Sequence, residues 1–189
     1  MKKIAYIFSG AFDSGKTTTL QYLKENYGYN FHHEAHNSVL NELGERTFGH
    51  NPIKYFETIE KKNHLCPMCT PIDFFNLAIQ KQWGIEASLS DGEFIERSQI
   101  DIVEHCERNT EVNSIFKLKK LVTYKKVFIF EVMPKLQQPR WGKTKEKRIT
   151  QAKEITKSLI KIYQRYGIPY ILIGPGSVKE RALFVKKNL

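Results

Sequence analysis

The sequence predicts an α/β protein, a parallel sheet covered on both faces by helices. Three observations carry that prediction. Residues 10–17 read Gly-Ala-Phe-Asp-Ser-Gly-Lys-Thr, a complete G-x-x-x-x-G-K-S/T loop set between an apolar run and a helical stretch. Short apolar runs alternate with helix-period segments along the chain. Val127, Phe128, Ile129 and Phe130 form a near-continuous apolar run, the pattern of a strand buried on both faces. At average residue usage, a chance match to the loop in a chain this long is roughly a half-percent event.

The first strand spans about residues 3–9, with Ile4, Tyr6, Ile7 and Phe8, and runs straight into the loop. A helix follows from 16 to about 26, with Leu20 and Leu23 on its inner face and Gly28 as its stop. Residues 29–33 make a short second strand. Residues 35–90 read mostly as helix, broken near Asn51-Pro52 and again from Cys66-Pro67 to Pro71. Asp91-Gly92 turns the chain into a third strand at 93–95, and a long helical region follows from about 98 to 122, with an interruption open around 109–113. The fourth strand is 127–130. Ile149, Ala152, Ile155, Leu159, Ile162, Tyr163 and Tyr166 then recur at helical spacing up to Gly167. A fifth strand at 168–173 and a helix at 177–187 close the chain.

Composition sets limits on the function. The 189 residues suit one α/β domain, 1–189, and contain no apolar stretch of about 18 residues, the length a spanning helix needs. Met1-Lys2-Lys3 leads directly into a core strand, so a cleavable signal there is not expected. Three cysteines make no disulfide framework, which points to the cytoplasm. The net charge of +10 is concentrated between Lys117 and Arg148 and again at Lys179, Arg181, Lys186 and Lys187. A solvated surface with a phosphate-facing lid explains it; a nucleic-acid or anionic-membrane surface is the alternative, without any nucleic-acid motif to support it.

The loop gives the chemistry. Two glycines let successive backbone N–H groups turn inward around a phosphate chain, and the helix N-terminus adds partial positive charge. Gly10, Ala11, Phe12, Asp13, Ser14, Gly15, Lys16, Thr17 and Thr18 are the expected nucleotide-contacting set. Lys16 can reach the β and γ phosphates, and the Thr17 hydroxyl can hold Mg²⁺. No guanine-reading Asn-Lys-x-Asp sequence is present, which favours ATP.

In a parallel sheet, ligands sit at the carboxyl ends of the strands. Strand two ends in His32-His33-Glu34, and Glu34 there can take a proton from an attacking hydroxyl or help position Mg²⁺ through water. An ordinary acid at a helix N-terminus is the plainer reading. Strand three ends in Glu96-Arg97-Ser98: Glu96 is the candidate acid for magnesium, and Arg97 the cation beside the transferring phosphoryl group. A surface ion pair would leave the same trace. After strand four, residues 134–148 have the length and charge of a lid, with Arg140, Lys143 and Arg148 as candidate phosphate cations. Gly174-Pro175-Gly176-Ser177 after strand five either borders an adenine pocket or is a helix-initiating turn capped by Ser177.

Together, the loop at 10–17, Glu34-Ala35, Glu96-Arg97-Ser98 and the basic segment after strand four resemble the P-loop kinase group. Within it they look most like the small AAA-type domain of NadR-like ribosylnicotinamide kinases and related ATP-binding proteins. The ending Tyr163-Gln164-Arg165-Tyr166-Gly167, leading to Val178-Lys179-Glu180-Arg181, fits that pattern too. The Glu-Arg-Ser triplet also resembles that of deoxyribonucleoside kinases. The resemblance implies a three-layer α/β/α P-loop NTPase fold with sheet order 2-3-1-4-5, and phosphoryl transfer from ATP to a small molecule. One departure stands out, the bulky Phe12 and acidic Asp13 inside the loop. An acid beside phosphates either weakens binding or points outward.

Cys66 and Cys69 supply half of a zinc site; His64, His105, Cys106 or one of His32, His33, His36 and His50 would have to complete it. Thiols in a helix–helix turn, or a redox dithiol, explain the same residues. The leading expectation is a kinase that uses ATP and Mg²⁺ on an unidentified nucleoside- or riboside-like acceptor. An ATPase or nucleotide-dependent switch without an acceptor is the alternative, and a nucleic-acid-associated ATPase a third.

Overall fold

Ile4 to Gly10 alternate between two faces, and that alternation divides the core in two. The structure, a computed structural model, describes residues 3–36, 38, 39, 42, 71–110, 117–139 and 143–189. Within it, strands β1 (Ile4–Gly10), β2 (Phe31–His32), β3 (Glu93–Glu96), β4 (Thr123–Phe130) and β5 (Tyr170–Ile173) pair in parallel in the order β2-β3-β1-β4-β5. This is the order that the resemblance implies. The helices are α1 (Lys16–Tyr27), α2 (Pro71–Ser88), α3 (Gln99–Thr110), α4 (Lys145–Arg165) and α5 (Val178–Lys187).

Ala5 and Ile7, with Ile95, Val127 and Ile129, pack under Val103 of α3 and Ala152, Ile155 and Leu159 of α4. The other face carries Tyr6, Phe8, Phe94, Phe128 and Phe130 under Leu20 and Leu23 of α1 and Ala182 and Val185 of α5. Small and β-branched side chains thus face the long helix α4, while an aromatic layer faces the shorter pair α1 and α5. Phe8 sits at the centre of that layer, edge-on to Phe94 at 5.4 Å and 4.9 Å from the Phe130 ring. Such burial makes both layers costly to disturb. Among the described residues no helix is long and apolar enough to cross a membrane.

The element boundaries depart from expectation in informative ways. Helix α3 is described as far as Thr110, and residues 117–120, beyond the undescribed 111–116, are irregular instead of helical. Gln99 explains the second point: its side chain accepts from Lys119 N and donates to Lys119 O, both at 2.8 Å, which removes that backbone from helical bonding. Strand β4 therefore starts at Thr123, its first half alternating exposed and half-buried before the apolar run that the sequence displayed. Helix α4 starts at Lys145, capped by the Thr144 side chain, so the end of the expected 134–148 lid is helical. Ser177 and Glu180 form a reciprocal capping box at the start of α5, the capping alternative read from sequence. Of residues 35–90, positions 35, 36, 38, 39 and 42 and helix α2 are helical. The expected break near 51–52 lies outside the described residues, as does that from Cys66-Pro67 to Pro71 up to residue 70; Pro71 itself opens α2.

Candidate functional site

The carbonyls of the turn after β1 are held by side chains, from within the turn and from elsewhere in the chain. Lys16 Nζ donates to Gly10 O (3.2 Å) and Ala11 O (2.8 Å), and Ser14 Oγ also donates to Ala11 O (2.9 Å). Gln137 Nε2 donates to Phe12 O (3.2 Å) and Asp13 O (3.3 Å). Arg181 Nη1 donates to Ser14 O (3.0 Å) and Gly15 O (3.2 Å). Carbonyls held this way are the condition for a concave nest of N–H groups. Gly10 and Gly15 are required for different reasons. A side chain at Gly10 would lie 2.7 Å from Phe130 O, and one at Gly15 would meet the Arg181 guanidinium, with φ at +138° and +81° respectively.

Asp13 adopts φ +49°, a left-handed conformation that acidic residues tolerate better than most. Its carboxylate accepts from Arg148 Nη2 at 2.6 Å, and the same guanidinium lies 4.2 Å from the Phe12 ring centroid. The departure noted in the sequence is therefore compensated: the acid is paired with a fully buried arginine of α4's first turn. This also changes the expected part of Arg148, which is fixed on the loop instead of belonging to a mobile segment. Lys143 reaches Gln151 Oε1 at 3.4 Å. Arg140 lies outside the described residues, as do Cys66 and Cys69. Among the described residues, no group of three or more His, Cys, Asp or Glu is placed to hold a metal ion.

The expected acidic and cationic residues do converge. Thr17 Oγ1 donates to Glu96 Oε1 at 2.6 Å, and His33 Nδ1 is 3.5 Å from Glu96 Oε2. Arg97 Nε donates to Glu34 Oε2, joining the ends of β3 and β2. Arg97 itself has φ +65°, an uncommon strain for a long side chain and one that gathers at functional sites. Thr18 Oγ1 instead turns onto Gly15 O at 3.0 Å.

The charges act on one another. Burial, aided by Arg97, lowers the Lys16 ammonium to about 8, although Glu96, Glu34 and Asp101 oppose it. Burial alone would raise Glu34, but Arg97, Lys16 and His36 hold its carboxyl below the ordinary range. Burial would likewise lower Arg97; Glu34, Asp101 and Glu96 keep it raised and charged. Beside this group, His36 and His105 stack at 4.5 Å, against Phe74 and Phe75. Burial keeps both imidazoles neutral, His36 lowered to about 4.

Sequence reasoning missed Gln137 and Arg181 as supports of the loop. The Val-x-x-Arg ending was a usable signal for Arg181; an uncharged Gln in a basic segment gave none. Arg181→Ala is expected to cost about 1–3 kcal/mol of stability by leaving the buried Ser14 carbonyl without the guanidinium donor. A denaturant midpoint equal to wild type, at unchanged slope, would rule out that support.

Comparisons with known proteins bear on this geometry. A family model described as an AAA domain matches residues 5–181. No curated protein matches the sequence. Among solved structures, the chain is similar to deoxyadenosine kinase from M. mycoides with bound dATP: TM-score 0.56, 14% identity, covering 98% of each chain. The same enzyme with its products dCMP and a flexible dCDP bound gives TM-score 0.58 and 16% identity, covering 98% of this chain and 97% of that one. At such identities the likeness is one of fold.

Proposed function

The chain belongs to the AAA-domain family, and from that premise we propose that it is a P-loop NTPase of the nucleotide-kinase-like group, an ATP-dependent kinase phosphorylating a small hydroxyl-bearing acceptor of nucleoside or riboside type. The observation that carries this reading is the convergence on the phosphate loop of Thr17–Glu96, 2.6 Å apart, and of the Glu34–Arg97 pair. A binding loop alone needs neither. Residues 1–189 act as one domain in this reading.

The residues divide the work. The loop amides of 10–17 and Lys16 bind and orient the triphosphate. Thr17 and Glu96 offer oxygen ligands only, a set that suits a hard divalent cation such as Mg²⁺. Magnesium bound there would offset phosphate charge. Arg97 stabilises negative charge on the transferring group, and Glu34 orients the acceptor hydroxyl. Because Glu34 is held below the ordinary carboxylate range, it aligns that hydroxyl more than it pulls the proton early. This matches the loose transition state of phosphoryl transfer, in which positioning and charge dominate. Arg140 has no part in the reading.

ADP release from ATP·Mg²⁺, followed against a panel of nucleosides and riboside vitamins, tests it. Release that depends on one class of acceptor is the expected result. Release indifferent to every acceptor would identify a nucleotide switch instead. Stimulation by RNA or DNA that collapses as salt rises would identify a nucleic-acid-associated ATPase.

A further inference from the structure

Asp101 lies in the first turn of α3 with its side chain shut off from solvent. Part of its surroundings is a helix cap. Ser98 Oγ accepts from Ile100 N at 3.1 Å, and Asp101 Oδ2 accepts from Ser98 N at 2.8 Å. A cap needs no more than that and can sit at the surface. Here three further elements converge on the same carboxylate. Ser9 Oγ, from the end of β1, donates to Oδ1; Tyr163 OH, from α4, donates to Oδ2 at 2.5 Å; Arg97 Nη1 lies 4.0 Å from Oδ1. Ser9 immediately precedes the first glycine of the phosphate loop, and Arg97 is the residue with the left-handed backbone.

We infer that Asp101 is a positioning residue for Arg97: with Glu34 it grips the guanidinium from two sides and ties it, through Ser9, to the root of the phosphate loop. The inference rests on the kinase reading of Arg97 given above. A long arginine at a strand end has many rotamers, and freezing one at the moment of transfer opposes the reaction. Two carboxylates on separate elements freeze it beforehand, so its charge meets the developing phosphate charge without reorganisation. Ser9 sets the distance from that charge to the loop. Tyr163 fixes the carboxylate itself, and the left-handed turn at Arg97 directs its side chain between the two acids.

Asp101→Asn tests this, since the amide keeps size and one acceptor and loses the charge that faces Arg97. Turnover of ATP·Mg²⁺ with the nucleoside panel is expected to fall about 10-fold or more, while KM for ATP holds. Arg97→Lys is measured in parallel. The second readout needs no turnover: the Arg97 Nε–H resonance in protein labelled with ¹⁵N-arginine, identified by its loss in Arg97→Lys. In wild type it is expected to exchange slowly with solvent, and in Asp101→Asn much faster. Wild-type turnover together with wild-type Nε–H exchange in Asp101→Asn overturns the inference, even where Arg97→Lys is inactive. Wild-type turnover in Arg97→Lys overturns the catalytic reading of Arg97 instead, and faster Nε–H exchange in Asp101→Asn still upholds the positioning. Should Asp101→Asn not fold, Tyr163→Phe and Ser9→Ala each remove one bond to the Asp101 carboxylate and leave its charge. Intermediate exchange in these supports the inference; unchanged exchange in both ends it.

Discussion

Lys16→Ala is expected to abolish ATP binding and turnover, a loss of at least about 100-fold from removal of the one cation inside the loop. The ammonium has already been taken out of water: it is 6% exposed and lowered to about 8, with burial as the main cause. A base lowered on folding costs stability. That cost is fully present below about pH 8 and vanishes as pH rises to the ordinary value of 10.5. Lys16→Met, which keeps most of the volume, is therefore expected to be more stable than wild type at neutral pH without nucleotide, by up to about 3 kcal/mol at 1.36 kcal/mol per unit. The lost bonds to Gly10 and Ala11 subtract from that gain. A variant that melts later yet binds no ATP separates lost function from lost fold. Binding of the polyanion favours the charged lysine, so near pH 8 wild-type protein should take up protons on binding ATP. Affinity should also weaken as pH rises further. Titration calorimetry in buffers of different ionisation enthalpy reads both. Wild-type affinity in Lys16→Ala would remove the loop from the site.

Why the loop was legible and its supports were not follows from where the constraints act. Gly10, Gly15 and Lys16 are fixed by local backbone geometry and by a ligand of one shape, so they occur at fixed spacing. Glu34, Glu96 and Arg97 are fixed by strand ends, and those ends could be read because Gly28 and the Asp91-Gly92 turn mark where the short strands begin. Gln137 and Arg181 come from elsewhere in the chain, and only the sheet order brings them to the loop carbonyls. Asp101 looked like any acid in a helix's first turn. The misread boundary at 117–122 has the same origin, because Gln99's bonds to the Lys119 backbone are tertiary and outweigh local helical preference. Pairing of Asp13 with Arg148 could not be read from sequence either; the acid in the loop was visible, and its buried partner in α4 was not.

Glu34→Gln is expected to leave ATP binding at its wild-type strength and to reduce transfer to the acceptor by at least about 100-fold, the lower end of what a positioned acid–base group contributes. The substitution is close to isosteric, and its amide oxygen can still accept from Arg97 Nε, so the β2–β3 contact survives. What it removes is the negative charge that orients a hydroxyl and can finally receive its proton. The pH dependence adds a check with a definite sign. Arg97 and Lys16 outweigh burial and hold Glu34 below the ordinary 4.5, so wild-type transfer should show no loss from this group above that value and should decline only in more acid solution. A rate limb near neutrality would mean that another group titrates. Should Glu34→Gln lose ATP binding along with transfer, Glu34 acts as the anchor of Arg97, and Arg97→Lys should reproduce the defect. Should transfer persist at the wild-type rate, the acceptor hydroxyl is oriented by some other residue, and the neutral pair His36 and His105, packed beside Glu34, becomes the next place to mutate.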